Sequence, residues 1–288
     1  FDAEGISHKT FKSKFPITDI AFMADGASLF VAHENNIVSQ YTGAGEFIRD
    51  IETEHASVSS IDISSNGRYM ISSGTDEVVA LWNLNKVKNE PIVAHKEAVT
   101  HVKFSADGER FVTVSEDSTA KVWDNDGDHL FTLSGHKGPV LWADFSTDGK
   151  KIVTTGLDNT ALVWNADGEL IRTIDRHNEA VTSASFSYDN RYIITTAHDY
   201  KSCLWSAKGE LIYTFEGSKD LHEQHDLGLF SPDGQHLLVI SRDITNAGIV
   251  SIFNISPDRM IRNINNQDLL GKVWQMDEPT KQRYNVLE

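Results

Sequence analysis

The sequence lacks the features that mark several common classes of protein. Its 288 residues include one cysteine, Cys203, so no disulfide can form within the chain, and a small buried apolar role is expected for it. No apolar run approaches the ~20 residues that a membrane-spanning helix needs, which predicts a soluble chain. The motifs of serine hydrolases, P-loop proteins and dinucleotide-binding enzymes do not occur. These absences argue against several familiar enzyme classes.

Basic residues are few relative to acidic ones. The chain has 26 Lys and Arg against 42 Asp and Glu, which gives a formal net charge of −16. Binding to a phosphate backbone needs clustered Lys and Arg, so we expect no nucleic-acid partner and favour a partner with a basic surface. Because the sequence begins at Phe1 rather than Met, the compartment stays open. The cytoplasm is favoured, with export or the cell surface as alternatives.

Four residue types recur along the chain at fixed spacing. The copies are His55, Ser72, Asp76 and Trp82; His95, Thr113, Asp117 and Trp123; His136, Thr154, Asp158 and Trp164; and His177, Thr195, Asp199 and Trp205. The last three copies follow one another at 41 residues, and the first lacks one residue after its His. A fixed period of this length is the signature of a repeat architecture.

Each period predicts four short strands. In the third copy these are Val140 to Phe145, Ile152 to Thr155, Thr160 to Trp164 and Leu170 to Ile174. The turns between them contain Asp, Asn or Gly, which tolerate positive φ. The strands are nearly continuous apolar or β-branched runs, which indicates sheets covered on both faces.

These residues resemble the WD40-repeat β-propeller family. The resemblance rests on Gly135-His136, Trp123-Asp124 and the Asp six residues before each Trp, and it covers nearly the whole chain. It implies an all-β, seven-bladed β-propeller of four-stranded antiparallel blades, with residues 1–288 as a single domain. It also implies that each His, Ser/Thr, Asp and Trp quartet forms a hydrogen-bonded chain inside its blade. Such a chain satisfies the buried indole N–H.

The blades differ in regularity. The four regular ones are expected at 58–94, 99–135, 140–176 and 181–217. An earlier blade at 17–53 has Val31, Asn35 and Tyr41 at quartet positions, and a later one has Phe253 in place of Trp, with insertions in 218–224 and 242–248. The seventh blade is assigned to residues 1–11 and 272–288, so that the N- and C-terminal segments close the ring together.

Two stretches contain several side chains that could bind a metal ion, but neither pattern predicts a metal site. The run from His222 to Asp226 lacks the HExxH spacing that places two His on one helical face, so a surface loop is expected. Asp124, Asp126 and Asp128 alternate as in a calcium loop, but they align with the hairpin turn of the next repeat. We therefore expect no metal and no cofactor.

Function is predicted from the surface that the resemblance implies. In similar propellers, partners dock on the narrow face through the residue before each quartet Asp and the residues three and five beyond each quartet His. In this chain the matching positions are Glu34, Thr75, Glu116, Leu157 and His198, then Ser57, Ser59, Ala98, Thr100, Pro139, Leu141, Ala180 and Thr182. Where the His is lacking, alignment on the first strand adds Pro16, Thr18, Gln224, Asp226, Lys272 and Trp274.

The inserted sector is the expected centre of docking. His222, Glu223, His225 and Asp226 would form an acidic rim beside His198, with Trp274 as an apolar anchor for a basic segment. The prediction is a non-catalytic scaffold that binds a peptide or protein. The alternatives are a spacer or oligomerisation module of a longer chain and a propeller hydrolase. The hydrolase needs charged side chains converging on the channel, whereas Ala98, Thr100, Ala180 and Thr182 are inert.

Overall fold

The computed structural model describes residues 13, 15–85, 90–217, 224–242 and 248–255. The regular structure of these residues consists of strands in six antiparallel sheets, five of four strands and one of three. This confirms an all-β propeller of four-stranded antiparallel blades. Within the described ranges there is no helix with the length and hydrophobicity to cross a membrane.

The first three blades follow the chain in order. Blade 1 contains β1 (Ile17–Phe22), β2 (Ser28–His33), β3 (Ile37–Thr42) and β4 (Phe47–Glu52). Blade 2 contains β5 (Val58–Ile63), β6 (Tyr69–Gly74), β7 (Val78–Asn83) and β8 (Glu90–Val93). Blade 3 contains β9 (Val99–Phe104), β10 (Arg110–Ser115), β11 (Thr119–Asp124) and β12 (His129–Ser134).

The remaining blades continue the same pattern. Blade 4 contains β13 (Val140–Phe145), β14 (Lys151–Gly156), β15 (Ala161–Asn165) and β16 (Leu170–Ile174). Blade 5 contains β17 (Val181–Phe186), β18 (Tyr192–Ala197), β19 (Lys201–Ser206) and β20 (Leu211–Glu216). Blade 6 contains β21 (Gln224–Phe230), β22 (His236–Arg242) and β23 (Gly248–Asn254).

A short turn joins the first and second strands of each blade. In blade 4, Ser146 Oγ donates to Asp148 Oδ1 at 2.7 Å, and the Ser146 oxygen accepts the Lys151 N–H at 2.9 Å. Gly149 follows at φ +65°, a conformation that costs glycine little. Blade 5 has Asn190 at this position with φ +58°, which Asn tolerates better than most residues. These turns set the register of the strands that follow.

The first strands form the inner edge of the molecule. β1, β5, β9, β13, β17 and β21 each contact the next in this order, while the fourth strands lie outermost. Five apolar clusters fill the spaces between adjacent blades. Between blades 3 and 4, for example, Val112 and Val122 pack with Val140 and Phe145. The core is therefore divided among the blade junctions.

The structure shows six blades where the sequence predicted seven. The segments assigned to the seventh, 1–11 and 272–288, lie outside the described residues, as do both insertions apart from their end residues. No strand contact comparable to the other junctions joins β21 to β1 within the described ranges. On β1, Ile17, Ile20 and Phe22 are 45%, 49% and 65% exposed, although their equivalents in blades 2 to 5 are buried. The described blades thus form an open arc with an apolar face at its start.

Candidate functional site

Each regular blade holds its quartet residues in one hydrogen-bonded chain. In blade 4, Trp164 Nε1 donates to Thr154 Oγ1 at 3.0 Å, and that hydroxyl donates to His136 Nε2 at 2.8 Å. His136 Nδ1 then donates to Asp158 Oδ2 at 3.0 Å. Blades 2, 3 and 5 repeat these contacts at 2.7 to 3.2 Å. The quartets link the strands and the loop within each blade.

The protonation of the quartet histidines differs between blades. Burial lowers the pKa of both His95 and His136 and outweighs the carboxylate beside each, so both are neutral at pH 7. Burial also lowers the pKa of His177, but its hydrogen bonds to the quartet carboxylate and to the Cys203 side chain outweigh that effect and raise it to about 9. The Thr195 hydroxyl donates to the Cys203 carbonyl at 3.4 Å, which leaves its oxygen free to accept from a protonated His177.

Blade 1 uses a different polar chain, which the sequence analysis missed. His33 Nε2 donates to Ser39 Oγ at 3.0 Å, and Ser39 donates to Asp50 Oδ1 at 2.7 Å. Ser13 Oγ lies 3.1 Å from His33 Nδ1. None of these residues occupies a quartet position, so the period carries no signal for them. A buried histidine is thus satisfied in a blade that has no quartet.

In each of blades 1 to 5, one backbone hydrogen bond joins two of the predicted docking positions. In blade 4, Leu157 N donates to Pro139 O at 2.9 Å. The equivalent bonds run from Glu34 to Pro16, from Thr75 to Ser57, from Glu116 to Ala98 and from His198 to Ala180. All these residues lie on the face that carries the turns between second and third strands, here called the quartet face. Their side chains are exposed or half-buried.

The predicted docking position that lies inside the first strand is a β-bulge residue in every described blade. The register of the first strand shifts around Thr18, Ser59, Thr100, Leu141, Thr182 and Asp226. Bulges turn a side chain out of the regular alternation. Two of these hydroxyls already bridge adjacent blades, because Thr100 Oγ1 donates to Val140 O at 2.6 Å and Thr182 Oγ1 donates to His225 O at 2.9 Å.

The structure changes the expected acidic rim at blade 6. Gln224 and His225 belong to β21 rather than to a surface loop, and His225 is buried with Nδ1 2.6 Å from Ser202 Oγ. Arg242 Nε and Nη2 donate to the two carboxylate oxygens of Asp226 at 2.6 and 2.8 Å. The charge of Asp226 is therefore balanced locally. The other predicted residues of this sector, His222, Glu223, Lys272 and Trp274, lie outside the described residues.

Carboxylates at the inner edge join consecutive blades. Each accepts a backbone N–H from the first strand of the next blade, and the bonds are Ile61 N to Asp19 Oδ2 at 2.9 Å, Phe104 N to Asp62 Oδ2 at 2.7 Å, and Phe186 N to Asp144 Oδ2 at 3.3 Å. Lys103 Nζ donates to Asp62 Oδ1 at 3.2 Å. The inner edge therefore carries charged side chains in addition to the uncharged residues, such as Ala98 and Ala180, that argued against a hydrolase. Its carboxylates are held by main-chain donors.

Two aromatic side chains, His101 and Trp142, lie next to Lys103 and the carboxylates of the inner edge. His101 stacks on Trp142 with ring centroids 3.9 Å apart and an interplanar angle of 22°. Burial lowers the pKa of His101 to about 3, and the nearby Lys103 ammonium adds to the shift, so the imidazole is neutral. Among the described residues, His101 Nδ1 and Trp142 Nε1 have no hydrogen-bond partner. The inner edge between blades 3 and 4 is therefore tightly packed but incompletely hydrogen-bonded.

The stretch that resembled a calcium loop is a hairpin turn. Asp124 Oδ1 accepts the N–H groups of Asp126 at 3.0 Å and Asp128 at 2.9 Å. A carboxylate that caps a turn in this way has a structural role without a cation. In the part of the chain that the structure describes, no three His, Cys, Asp or Glu side chains are placed to hold a metal ion.

The comparisons with known proteins agree with this architecture. The family model described as "WD domain, G-beta repeat" matches residues 45–83, 87–124, 127–165 and 168–206, together more than half of the chain. Each match contains the outer strand of one blade and the first three strands of the next. No curated protein matches the chain. On the repeats and the blades that they build, the chain belongs to the WD40-repeat family of β-propellers.

Proposed function

We propose that this chain is a non-catalytic scaffold that binds a basic peptide or protein segment on its quartet face. The WD40 propeller fold is typical of protein-interaction scaffolds, and the family is generally non-catalytic. One observation carries the proposal. Five equivalent backbone bonds hold the loops of blades 1 to 5 in register, so that Glu34, Thr75, Glu116, Leu157 and His198 stand at matching positions on this face.

The charge of this face favours a basic partner over blades 1 to 3. The exposed acidic residues in its loops and strand ends are Glu34, Glu52, Glu54, Glu77, Glu97 and Glu116. Lys96 is an exposed base among them. On blade 6, by contrast, Arg242 neutralises Asp226. We therefore move the proposed docking centre from the inserted sector to blades 1 to 3. Contributions from His222, Glu223 and Trp274 stay predictions.

The test uses fluorescence anisotropy with a labelled lysine-rich peptide and a glutamate-rich peptide of equal length. The double variant Glu34→Lys and Glu116→Lys should weaken binding of the lysine-rich peptide several-fold at low salt and less at high salt, since exposed charges are screened. The matched control is Asp126→Lys with Asp167→Lys, which makes the same charge change in exposed turns of the opposite face. It should have little effect.

Three outcomes would contradict the proposal. Equal losses in the two double variants would mean that net charge alone attracts the peptide. A larger loss on Asp226→Lys than on the double variant would return the site to blade 6. Absence of binding to any basic segment, with the fold intact, would favour the spacer or oligomerisation module.

We also propose that residues 1–11 and 272–288 form a seventh blade and close the ring, within one domain spanning 1–288. The support comes from both ends of the described arc. The exposed apolar face of β1 corresponds to a face that is buried in blades 2 to 5, and Val250 and Ile252 on β23 are 45% and 47% exposed. A blade between these two faces would bury both.

A further inference from the structure

We propose that Asp144 is a proton-responsive clasp at the inner edge, which ties blades 3, 4 and 5 together when ionised and relaxes that tie when protonated. The proposal is independent of what binds on the quartet face. It rests on the position of one carboxylate between a main-chain donor on one side and a shared ammonium on the other.

Two equivalent carboxylates show what is unusual about Asp144. Asp62 in blade 2 is fully engaged, because Phe104 N donates to Oδ2 at 2.7 Å and Lys103 Nζ donates to Oδ1 at 3.2 Å. Asp144 accepts the Phe186 N–H at a longer 3.3 Å, and the neighbouring Phe145 N–H also bonds to it. Lys103 attracts it without an ion pair inside 4 Å among the described residues. One lysine therefore serves two carboxylates and is bonded to the first.

The other charged groups described around Asp144 do not compensate for its lack of an ion pair with Lys103. β9 presents Lys103 and the neutral His101, and Asp62 on β5 adds negative charge. Asp19 on β1 acts on Lys103. β17 has no ionisable side chain. The remaining strands packed on β13 carry Lys151, Arg110, Lys121 and Asp124. Of these, Arg110 Nη2 donates to Gly149 O at 2.7 Å and Lys121 Nζ donates to Ala94 O at 2.6 Å. Asp124 caps its own turn, and Lys151 stands at the turn end of β14.

The proton affinity of the carboxyl group supports the clasp. Burial raises the pKa of Asp144 to about 6, even though Lys103 acts to lower it. The group thus changes charge close to physiological pH. A carboxylate is a stronger acceptor than a neutral carboxyl group, so protonation weakens both the bond from Phe186 N and the attraction to Lys103.

The effect on global stability has the opposite sign. An unfolded Asp titrates near pH ~4, below the folded value, so the folded state binds this proton more tightly. The contribution of Asp144 to stability is therefore largest below pH ~4 and falls as pH rises through about 6. On acidification the bond from Phe186 N should weaken, while the contribution of Asp144 to global stability rises. These opposite signs distinguish the clasp from a simple ion pair.

The test combines carboxyl ¹³C NMR titration with hydrogen exchange of two amides. We expect an Asp144 midpoint near pH 6 and, after correction for intrinsic rates, several-fold faster exchange of Phe186 N–H at pH 5 than at pH 7.5. Phe104 N–H, bonded to Asp62, is the internal control and should change little. Lys103→Met should raise the Asp144 midpoint, since the lysine lowers it. If Lys103 had only a structural role, Lys103→Met would leave the Asp144 midpoint unchanged.

The variant Asp144→Asn should remove the pH dependence at Phe186. If it fails to fold, Asp144→Ser replaces it, since Ser185 occupies the equivalent position in blade 5. An Asp144 midpoint near pH 4 would overturn the proposal. Equal pH responses of Phe186 and Phe104, or a Phe186 response that persists in the variant, would also overturn it.

Discussion

At the scale of single residues, the quartets hold blades together, so substitutions in them should lower the free energy of unfolding. Trp164→Ala should cost about 3 to 5 kcal/mol, because it removes a large buried side chain. Asp158→Ala should cost about 1 to 3 kcal/mol, because it strands the donors of His136, Lys137 and Thr160. Denaturant unfolding measures both. An unchanged melting temperature in Asp158→Ala, with peptide binding lost, would instead assign Asp158 to the ligand.

The single cysteine is one of the groups that raise the pKa of His177, beside the Asp199 carboxylate. In Cys203→Ala, His177 loses one of the hydrogen bonds that raise its pKa, so its titration midpoint should fall from about 9 toward the lowered range of His95 and His136. Because the folded pKa of His177 exceeds the unfolded value, its stabilisation is full below pH ~6.5 and is lost as pH rises through 9. The variant should lose this dependence.

Histidine NMR titration and unfolding at pH 6 and 9 test this point. His136 serves as the control, since its blade has Leu162 at the position of Cys203. A His177 midpoint that does not change in Cys203→Ala would show that the carboxylate alone holds the proton.

At the scale of strands and blades, the degenerate blade 1 should depend on its own polar chain. Ser39→Ala removes the hydroxyl that connects His33 to Asp50 and leaves a buried imidazole N–H without an acceptor. A loss of about 1 to 3 kcal/mol is expected on unfolding. The control is Ser65→Ala, an exposed serine in a turn of blade 2. Equal stability of the two variants would contradict this role.

Sequence reasoning predicted the strands well because the period constrains them. Ile152 to Thr155 was expected where β14 spans Lys151–Gly156, and the same turn chemistry recurs in each blade. The chain of Ser39 was not predictable in this way, since it occurs once. The position of Asp62, Lys103 and Asp144 also gave no periodic signal, because it holds Ala21, Ser185 and Leu229 in the other blades.

The structural setting of the proposed docking positions was predictable, whereas the chemistry of their side chains was not. Their loop pairing and bulges follow from the repeat, and the structure has them in register. Whether a side chain there is available depends on contacts with neighbouring strands that no local pattern encodes. Asp226 illustrates this, because its partner Arg242 lies one strand away and blade 6 departs from the regular spacing.

At the scale of the whole molecule, closure of the ring is the prediction with the largest consequence. Deleting residues 1–12 should remove the proposed outer strand of the seventh blade, leave a sheet edge unpaired and promote aggregation. Size-exclusion chromatography and thermal unfolding measure the effect. A truncated protein that stays monomeric and equally stable would contradict closure by this segment.

The offset between repeat and blade bears on how the molecule can change in length over evolution. Each matched repeat supplies the outer strand of one blade and the three inner strands of the next. A gene duplication or loss of one whole repeat therefore adds or removes a blade while every remaining outer strand keeps a sheet to complete. A copy cut at blade boundaries would add the same four strands, so inside the array the offset makes no difference. It matters at the two ends, where the first repeat brings an outer strand for the preceding blade and the last repeat leaves its own blade without an outer strand. A change in the number of whole repeats therefore leaves both ends with the same complementary strands to supply and to receive.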